Sequence, residues 1–258
     1  MSHHIDKESV IQHKKKSIKA VNRMLEGYIN SGNDKFLKKA DLISYWLESF
    51  SLYVSSEEKF DPRRLIRYSR GDVIRLNLGF NIGNEMGGLH FALVLDNANH
   101  QQSGVITVIP LSSTDGRTIH SNNVDLGTEL YSKINDNYAS LLKKASEDLD
   151  GLRRIKNILD SITSENGSDS LPPETSEEVV LTLRKITDLE SQVKRIERER
   201  REIDRLKTGT MAVVNQITTI SKQRIYTPKK SEDFLYGISL SASAMEKINR
   251  KISELYLR

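Results

Sequence analysis

The residues best placed to do chemistry lie beside two apolar runs in the first half of the chain. The loop Gly83–Gly88 is followed by His90 and then by the apolar run Phe91–Leu95. The next apolar run ends just before Ser112 and Ser113. Paired glycines let a loop bend sharply and let a backbone or ligand approach closely. Strand-end hydroxyls either meet a ligand or satisfy the local backbone. A binding loop and a plain β-turn both fit this pattern.

Several enzyme classes are excluded by what the sequence lacks. The 258-residue chain has no cysteine, which excludes disulfides, thiolate catalysis and Cys-ligated zinc. Glu85, His100 and His120 are not at a metal-binding spacing such as i, i+4 on one helix, so we predict no metal and no cofactor. Neither a Walker-type phosphate loop nor a G-x-S-x-G nucleophile elbow occurs.

Hydropathy and charge bound the protein's surroundings. No run of eighteen apolar residues could span a membrane, and the N-terminus lacks the layout of a secretory signal, so we predict a cytoplasmic protein without a membrane partner. The net charge of +4 arises at the two ends. Residues 1–70 carry fourteen Lys and Arg against nine Asp and Glu, and residues 208–258 carry eight against four. This excess attracts polyanions such as RNA, although it is common in other proteins too.

Periodicity separates a helical start from a β-region. Residues 5–30 have helical spacing, and Asp34 is the expected N-cap of a second helix, so we predict a helical hairpin. Between Gly71 and Pro110 the apolar period is two. The strands there are short, and no helix long enough for a βαβ crossover lies between them. This pattern predicts an antiparallel sheet or a small barrel.

The helical period returns from about Leu130 to Leu206. Two apolar seams joined by the polar segment Ser164–Pro173 predict an antiparallel coiled-coil hairpin. Strand character resumes at Met211, and Ser241 is expected to cap a final helix. Because β-structure brackets the hairpin, we interpret the hairpin as an insertion. The predicted domains are a helical region (1–66), the first part of the β-domain (67–127), the inserted hairpin (128–207) and the second part with its C-terminal helix (208–258).

Four segments of the β-regions form an ordered set: Ser69–Ile74, Gly83–Leu95, Val108–Ser113 and Val213–Ile225. Together they resemble the MazF/PemK family of toxins from type II toxin-antitoxin systems. The resemblance covers about 69–126 and 208–256, outside the N-terminal hairpin and the insertion. It implies an α+β fold built on a small SH3-like antiparallel β-barrel of the MazF/PemK/CcdB type. The N-terminal helical hairpin, the inserted coiled-coil hairpin and the C-terminal helix would be attached to this barrel.

The resemblance also implies an activity. It predicts a sequence-specific, metal-independent endoribonuclease that cleaves single-stranded RNA. The ribose 2′-OH attacks the adjacent phosphate and leaves a 2′,3′-cyclic phosphate and a 5′-OH end. A small antitoxin protein and a homodimer are implied as well. In the family an arginine just after the Gly-Gly loop and a hydroxyl residue at the strand end carry the reaction. The hydroxyl residue matches Ser112, whereas the arginine is replaced by His90.

This replacement changes the expected chemistry. Arginine stays charged and holds a phosphate with two donors, whereas histidine, with an unperturbed pKa of about 6.5, can accept the 2′-OH proton or protonate the leaving oxygen. We predict that His90 and Ser112 are catalytic. The positive charge would then come from Arg75, Lys222 or Arg224. The resemblance predicts further RNA contacts at Asn84, Glu85, Gly87, Gly88, Ser113 and Gln216.

Two other functional classes stay open. The first is a barrel that binds RNA or a protein without cutting, which the departure at His90 and the amount of coiled coil favour. The second is a protein-binding toxin like the related CcdB toxins, which poison DNA gyrase. The strand-end serines and the stretch Gln216–Arg224 resemble the RNA-cutting branch more closely.

Overall fold

The computed structural model describes residues 6–116, 118–166 and 173–257. Its α-helices are α1 (Lys7–Ile29), α2 (Asp34–Ser56), α3 (Glu129–Asn166), α4 (Pro173–Asp204) and α5 (Ala242–Tyr256). Its strands are β1 (Val73–Asn77), β2 (Leu89–Val94), β3 (Val105–Ser113), β4 (Asn123–Asp125), β5 (Thr210–Val213), β6 (Thr218–Ser221) and β7 (Ile225–Thr227). The predicted α+β fold, with helices before, within and after an antiparallel sheet, is confirmed. Most of the predicted 164–173 connection lies outside the described residues.

The chain divides into two compact units. The first comprises Met1–Phe60 and Asn77–Leu89, and the second comprises Asp61–Leu76 and His90–Arg258. The connection between β1 and β2 groups with the N-terminal helices in this division. The predicted domain boundaries stay a prediction.

In the first unit, α1 and α2 form the expected helical hairpin. The rings of Tyr28 and Phe36 stack across the turn with their centroids 5.3 Å apart. The N-cap of α2 is Asn33, whose side chain accepts a hydrogen bond from the Lys35 backbone N–H at 2.9 Å. The prediction of Asp34 was therefore wrong by one residue, because Asn and Asp cap helices equally well and the first of the pair takes the extended backbone that a cap requires.

In the second unit, β3 organises the sheet. Its first half pairs with β6, its middle with β2 and its last three residues with β5. The strand order is β4-β5-β3-β2-β1-β7, with β6 also on β3, and every strand pair for which a register is resolved is antiparallel. A nine-residue strand can serve three neighbours because its two backbone edges bind different partners along its length.

One face of this sheet forms the core together with the base of the insertion and α5. The side chains that meet there include Val73, Phe91, Leu93, Ile109, Leu111, Leu130, Ile134, Ile203 and Ile248. Both ends of the inserted hairpin are thus buried in the same core as the strands. The hairpin is anchored to the sheet rather than tethered by loops.

Glu129 joins the start of α3 to the cap of α5. Its carboxylate accepts hydrogen bonds from the Ser241 backbone N–H at 2.6 Å and from the Ser241 hydroxyl at 2.8 Å, and Lys133 Nζ lies 2.9 Å away. Ser241 in turn caps α5, as predicted, by accepting from the Ala244 N–H at 3.2 Å. Partial burial raises the pKa of Glu129, but the hydrogen bonds from Lys133 and Ser241 outweigh burial, and the net pKa is lowered.

Replacing Glu129 with glutamine is therefore expected to destabilise the fold in a pH-dependent way. Because the folded pKa is lowered, the contribution of the carboxylate is present above the ordinary pKa and is lost as the pH falls through the folded pKa. In urea unfolding, Glu129→Gln should unfold earlier than the parent at neutral pH and converge with it as the pH falls below the lowered folded pKa. Glu147→Gln, in an exposed pair with Lys143, is the matched control. An unchanged difference at low pH would contradict the assignment.

Candidate functional site

The β2–β3 ladder sets the relation between His90 and Ser112. Ala92 pairs with Pro110 in an antiparallel register. Continued by two residues, this register pairs His90 with Ser112. Directly opposed residues project from the same face with their Cα atoms about 4.5–5.5 Å apart. An extension of the resolved register by two residues would therefore place the two side chains that the sequence singled out on one face. Both are half-buried and lie where the two strands end.

The hydroxyl of Ser112 is loosely held. Its Oγ donates to the carbonyl oxygen of the next residue, Ser113, at 3.4 Å, which is long for such a bond. A hydroxyl with so weak a local partner can turn to a phosphate oxygen at small cost. Ser113, also half-buried, pairs with Thr210 of β5 and lies on the opposite face of the strand from Ser112.

The loop between β1 and β2 closes on its own backbone. The Gly88 N–H donates to Gly79 O at 2.6 Å, and the Leu78 N–H donates to Gly88 O at 2.8 Å. Asn81 Nδ2 donates to the carbonyl oxygen of Met86 at 2.7 Å. A Cβ atom on Gly87 would lie 2.6 Å from Gly79 O, so only glycine fits there. Gly87 is therefore required by close backbone approach, whereas Gly88 is suited to its positive φ of 85°.

The tip of this loop is open. Of the predicted RNA contacts, Asn84, Glu85 and Gly88 are exposed and Gly87 is half-buried. The Glu85 carboxylate accepts a long hydrogen bond from the Ile82 N–H at 3.4 Å. Within the first unit, Lys39 Nζ lies 6.0 Å from the ring centroid of Phe80, so the loop also contacts α2. The contact of these tip residues with RNA stays a prediction.

Gly87→Ala is expected to open this loop. The added methyl group would meet a carbonyl oxygen at a distance that real Cβ atoms do not adopt, so the closure between Gly79 and Gly88 must break. We expect faster proteolytic cleavage within residues 78–88 and weaker RNA binding. Gly104→Ala is the matched control, because nothing lies within 4 Å of its added Cβ. Equal proteolysis rates for the two variants would argue against a closed loop.

Arg75 is buried and ion-paired with the insertion. It is 6% exposed and forms ion pairs with Glu199 and, at 3.7 Å, with Glu202 of α4. Its guanidinium carbon is 5.6 Å from the ring centroids of both Phe91 and Tyr226. Phe91 follows His90 directly in β2, and consecutive strand residues point to opposite faces. The charge of Arg75 is thus paired with the insertion, and its contact with RNA stays a prediction.

Lys222 is likewise structural. Its side chain is 2% exposed, and its Nζ donates to the His100 carbonyl oxygen at 3.1 Å and lies 5.9 Å from the ring centroid of Tyr68. Burial lowers the pKa of Lys222, an effect that the charge of Asp96 opposes. The structure does not support Lys222 as an RNA contact, because its ammonium ties the 96–104 turn to the sheet. Arg224 and Gln216 are partly exposed and remain candidates.

The sequence did not indicate which residues continue the face of Ser112 across the neighbouring strands. Ser112 pairs with Met211 of β5, and Met211 pairs with Asp125 of β4, so these three side chains share one face. Asp125 is exposed, and its Oδ1 accepts from the Gly127 N–H at 2.8 Å. A strand of three residues is too short to show a period in the sequence, which is why β4 was not predicted.

Two further properties concern the described residues alone. Among them, no group of three or more His, Asp or Glu side chains is arranged to hold a metal ion. No helix in the described part of the chain is long and apolar enough to cross a membrane.

The family comparison agrees with the fold. Residues 69–187 match the family described as PemK-like, MazF-like toxin of type II toxin-antitoxin system. The match, just under half of the chain, begins before β1 and runs through β4 and α3 into α4. No curated protein matches the chain. Residues 69–187 of this chain are therefore similar to the PemK-like, MazF-like toxins of type II toxin-antitoxin systems.

Proposed function

We propose that the domain is a metal-independent endoribonuclease that cleaves single-stranded RNA. The observation that carries the proposal is the antiparallel pairing of Ala92 with Pro110, which, continued by two residues, would place His90 opposite Ser112. An imidazole and a hydroxyl on neighbouring strands can act on the 2′-OH and the phosphate of the same nucleotide. Such a reaction needs no metal, since the attacking group belongs to the substrate.

In the proposed reaction His90 accepts the proton of the ribose 2′-OH. The 2′ oxygen then attacks the adjacent phosphorus, and the bond from phosphorus to the 5′ oxygen of the next nucleotide breaks. His90 returns the proton to this leaving oxygen, which gives a 2′,3′-cyclic phosphate and a 5′-OH. Ser112 donates a hydrogen bond to a phosphate oxygen as negative charge grows there. Arg224 is the remaining predicted cation that could stabilise this charge, because Arg75 and Lys222 are engaged elsewhere.

The fine contacts to RNA are part of the same proposal. Asn84, Glu85, Gly87 and Gly88 would contact the nucleotides through loop carbonyl, N–H and side-chain groups. Ser113 and Gln216 would add polar contacts from the strand end and the turn before β6. Single-stranded RNA presents unstacked bases and an open backbone, and a mixture of loop carbonyl, N–H and side-chain groups can bind both. A small antitoxin protein is the partner that the family implies, and it would act in the same cytoplasmic compartment as the RNA.

The test is cleavage of a labelled single-stranded RNA in EDTA. We expect fragments that end in a 2′,3′-cyclic phosphate and begin with a 5′-OH. The matched control is the same oligonucleotide with one 2′-deoxy nucleotide at the cleaved position, which lacks the attacking group and should stay intact there. Cleavage that requires divalent metal, or fragments with 3′-OH ends, would contradict the proposal.

A second candidate is a domain that binds RNA without cutting it. Two observations favour it: histidine stands at the position where the family has arginine, and two of the three predicted cations are buried in structural contacts. Stable binding of the intact RNA, with no cleavage over the time in which binding saturates, would support this candidate over the first.

A further inference from the structure

The first helix of the chain carries a row of exposed positive side chains. Lys15, Lys19 and Arg23 of α1 follow one another at intervals of four residues, which places them on one face of the helix. Lys16 lies on the same face, seven residues before Arg23. All four side chains are exposed. These four residues are called the basic stripe below.

The basic stripe points away from the side on which α1 packs. Of the residues of α1, all of which the structure describes, four are half-buried and the others are exposed. The half-buried ones are Ile11, Val21, Leu25 and Tyr28. Leu25 is two residues beyond Arg23, which is roughly 200° further around a helix of 3.6 residues per turn. Packing within the hairpin therefore leaves the stripe uncovered.

The stripe has no counter-charge among the described residues. Every ion pair that those residues form lies at or beyond Asp61. The two acidic residues of α1 accept hydrogen bonds from side-chain amides instead. Gln12 Nε2 donates to Glu8 Oε1 at 2.7 Å, and Asn22 Nδ2 donates to Glu26 Oε1 at 2.8 Å. The positive charge of the stripe is therefore uncompensated in the part of the chain that the structure describes.

The helix itself does not account for this arrangement. Lys15 and Lys19, and likewise Lys19 and Arg23, are like-charged pairs four residues apart, a spacing at which repulsion weakens a helix. Cations are favourable in the last turn of a helix, but the last turn of α1 contains no basic residue. The stripe thus opposes the stability of α1, and a bound anion would relieve the repulsion.

The stripe suits a nucleic-acid strand better than a protein or a membrane. Four residues of helix rise by about 6 Å, comparable with the separation of neighbouring phosphates along an extended strand, so three of the cations can follow successive phosphates. The neighbouring side chains on this face, such as Gln12 and Asn22, are polar. A membrane-bound helix inserts an apolar face, and the centre of a protein interface is depleted of lysine. This face of α1 has the opposite composition.

We propose that the basic stripe of α1 binds the phosphate backbone of single-stranded RNA. Contacts to phosphates add affinity without reading the sequence, so α1 would hold RNA of any sequence on the same chain as the β-domain. The choice of RNA as the polyanion rests on the proposed function. The binding itself does not require cleavage.

The test measures binding of a fluorescent 2′-O-methyl RNA oligonucleotide to the full-length chain by anisotropy. This probe keeps the phosphates but lacks the 2′-OH that cleavage needs. We expect Lys15→Gln/Lys16→Gln/Lys19→Gln/Arg23→Gln to bind at least about tenfold more weakly than the parent at about 0.1 M salt. The slope of log affinity against log salt should fall by roughly 3, since each phosphate contact on a single strand contributes about 0.7. Circular dichroism verifies that the helices of the variant persist.

A charge-keeping variant and a matched charge-removing variant are the controls. Lys15→Arg/Lys16→Arg/Lys19→Arg should bind the oligonucleotide as the parent does. Lys144→Gln/Arg154→Gln/Arg184→Gln/Lys185→Gln removes four exposed charges from the inserted hairpin. Because distant exposed charges are screened at this salt concentration, it should lower the affinity less than about twofold.

Three results would overturn the proposal. The first is an equal affinity and salt slope for the parent and the variant that lacks the stripe. The second is an equal loss in the variant of the inserted hairpin, which would mean that net charge alone attracts RNA. The third is binding of the parent to phosphatidylserine vesicles but not to the oligonucleotide. A parent that binds the oligonucleotide through the stripe yet leaves unmodified RNA intact would count against the proposed cleavage alone.

Discussion

His90→Ala is expected to slow RNA cleavage by about 10²–10⁴-fold, the contribution of a positioned general acid–base. Ser112→Ala should lose about 10²–10³-fold, since it removes one hydrogen-bond donor to the developing charge. Single-turnover rates on a labelled RNA in EDTA measure both effects. His120→Ala is the matched control, because His120 is exposed and accepts a local hydrogen bond from the Asn122 N–H at 3.3 Å.

The variant His90→Arg separates acid–base chemistry from charge stabilisation. If His90 acts as the base, the parent rate should fall as the pH drops through the region near 6.5 where an unperturbed imidazole gains its proton. An arginine at this position keeps its charge, so the acidic limb should disappear while some cleavage persists. A parent rate independent of pH between about 5 and 8, together with full activity of His90→Ala, would refute the catalytic role.

Arg75→Met is expected to destabilise the fold by about 3–5 kcal/mol, because it leaves Glu199 as an uncompensated buried carboxylate. Burial raises the pKa of Glu199, and the charge of Arg75 and a hydrogen bond from Tyr226 lower it. Without Arg75 the folded pKa rises further. A raised folded pKa means that stability is lost as the pH rises through it, so the defect should be larger at neutral pH than at about pH 4. Urea unfolding at the two pH values measures the difference.

A matched pair of variants tests whether the defect arises from the lone carboxylate. Arg75→Met/Glu199→Leu replaces both partners by apolar groups and should recover most of the loss, as buried ion pairs often do. Arg63→Met breaks the pair that Arg63, whose side chain is 67% exposed, forms with Asp61, and it should leave the stability nearly unchanged. If the double variant were as unstable as Arg75→Met alone, packing rather than charge would explain the effect.

The elements of this protein follow largely from local sequence. The helical period predicted residues 5–30 and the structure has α1 at Lys7–Ile29, and the predicted Ser241 cap opens α5. The strand expected at Phe91–Leu95 is β2, at Leu89–Val94. Such features depend on residues that are close together in the sequence. A periodic apolar face can be recognised in the sequence whatever it packs against. The resemblance then supplied the order of the strands' motifs and the candidates His90 and Ser112.

Only the tertiary structure decided which groups the charged candidate residues contact. Arg75 and Glu199 are 124 residues apart, and Lys222 and the His100 carbonyl are 122 apart, so no local pattern shows that these cations are engaged. A lone lysine or arginine looks the same in the sequence whether it contacts a phosphate or a buried partner. Its role depends on which distant group the fold brings to it. The β2–β3 register also depends on residues that are far apart in the sequence, so no local pattern shows it. The sequence by itself determined which residues could do chemistry, and the strand pairing, through long-range backbone hydrogen bonds, decided which of them share a face.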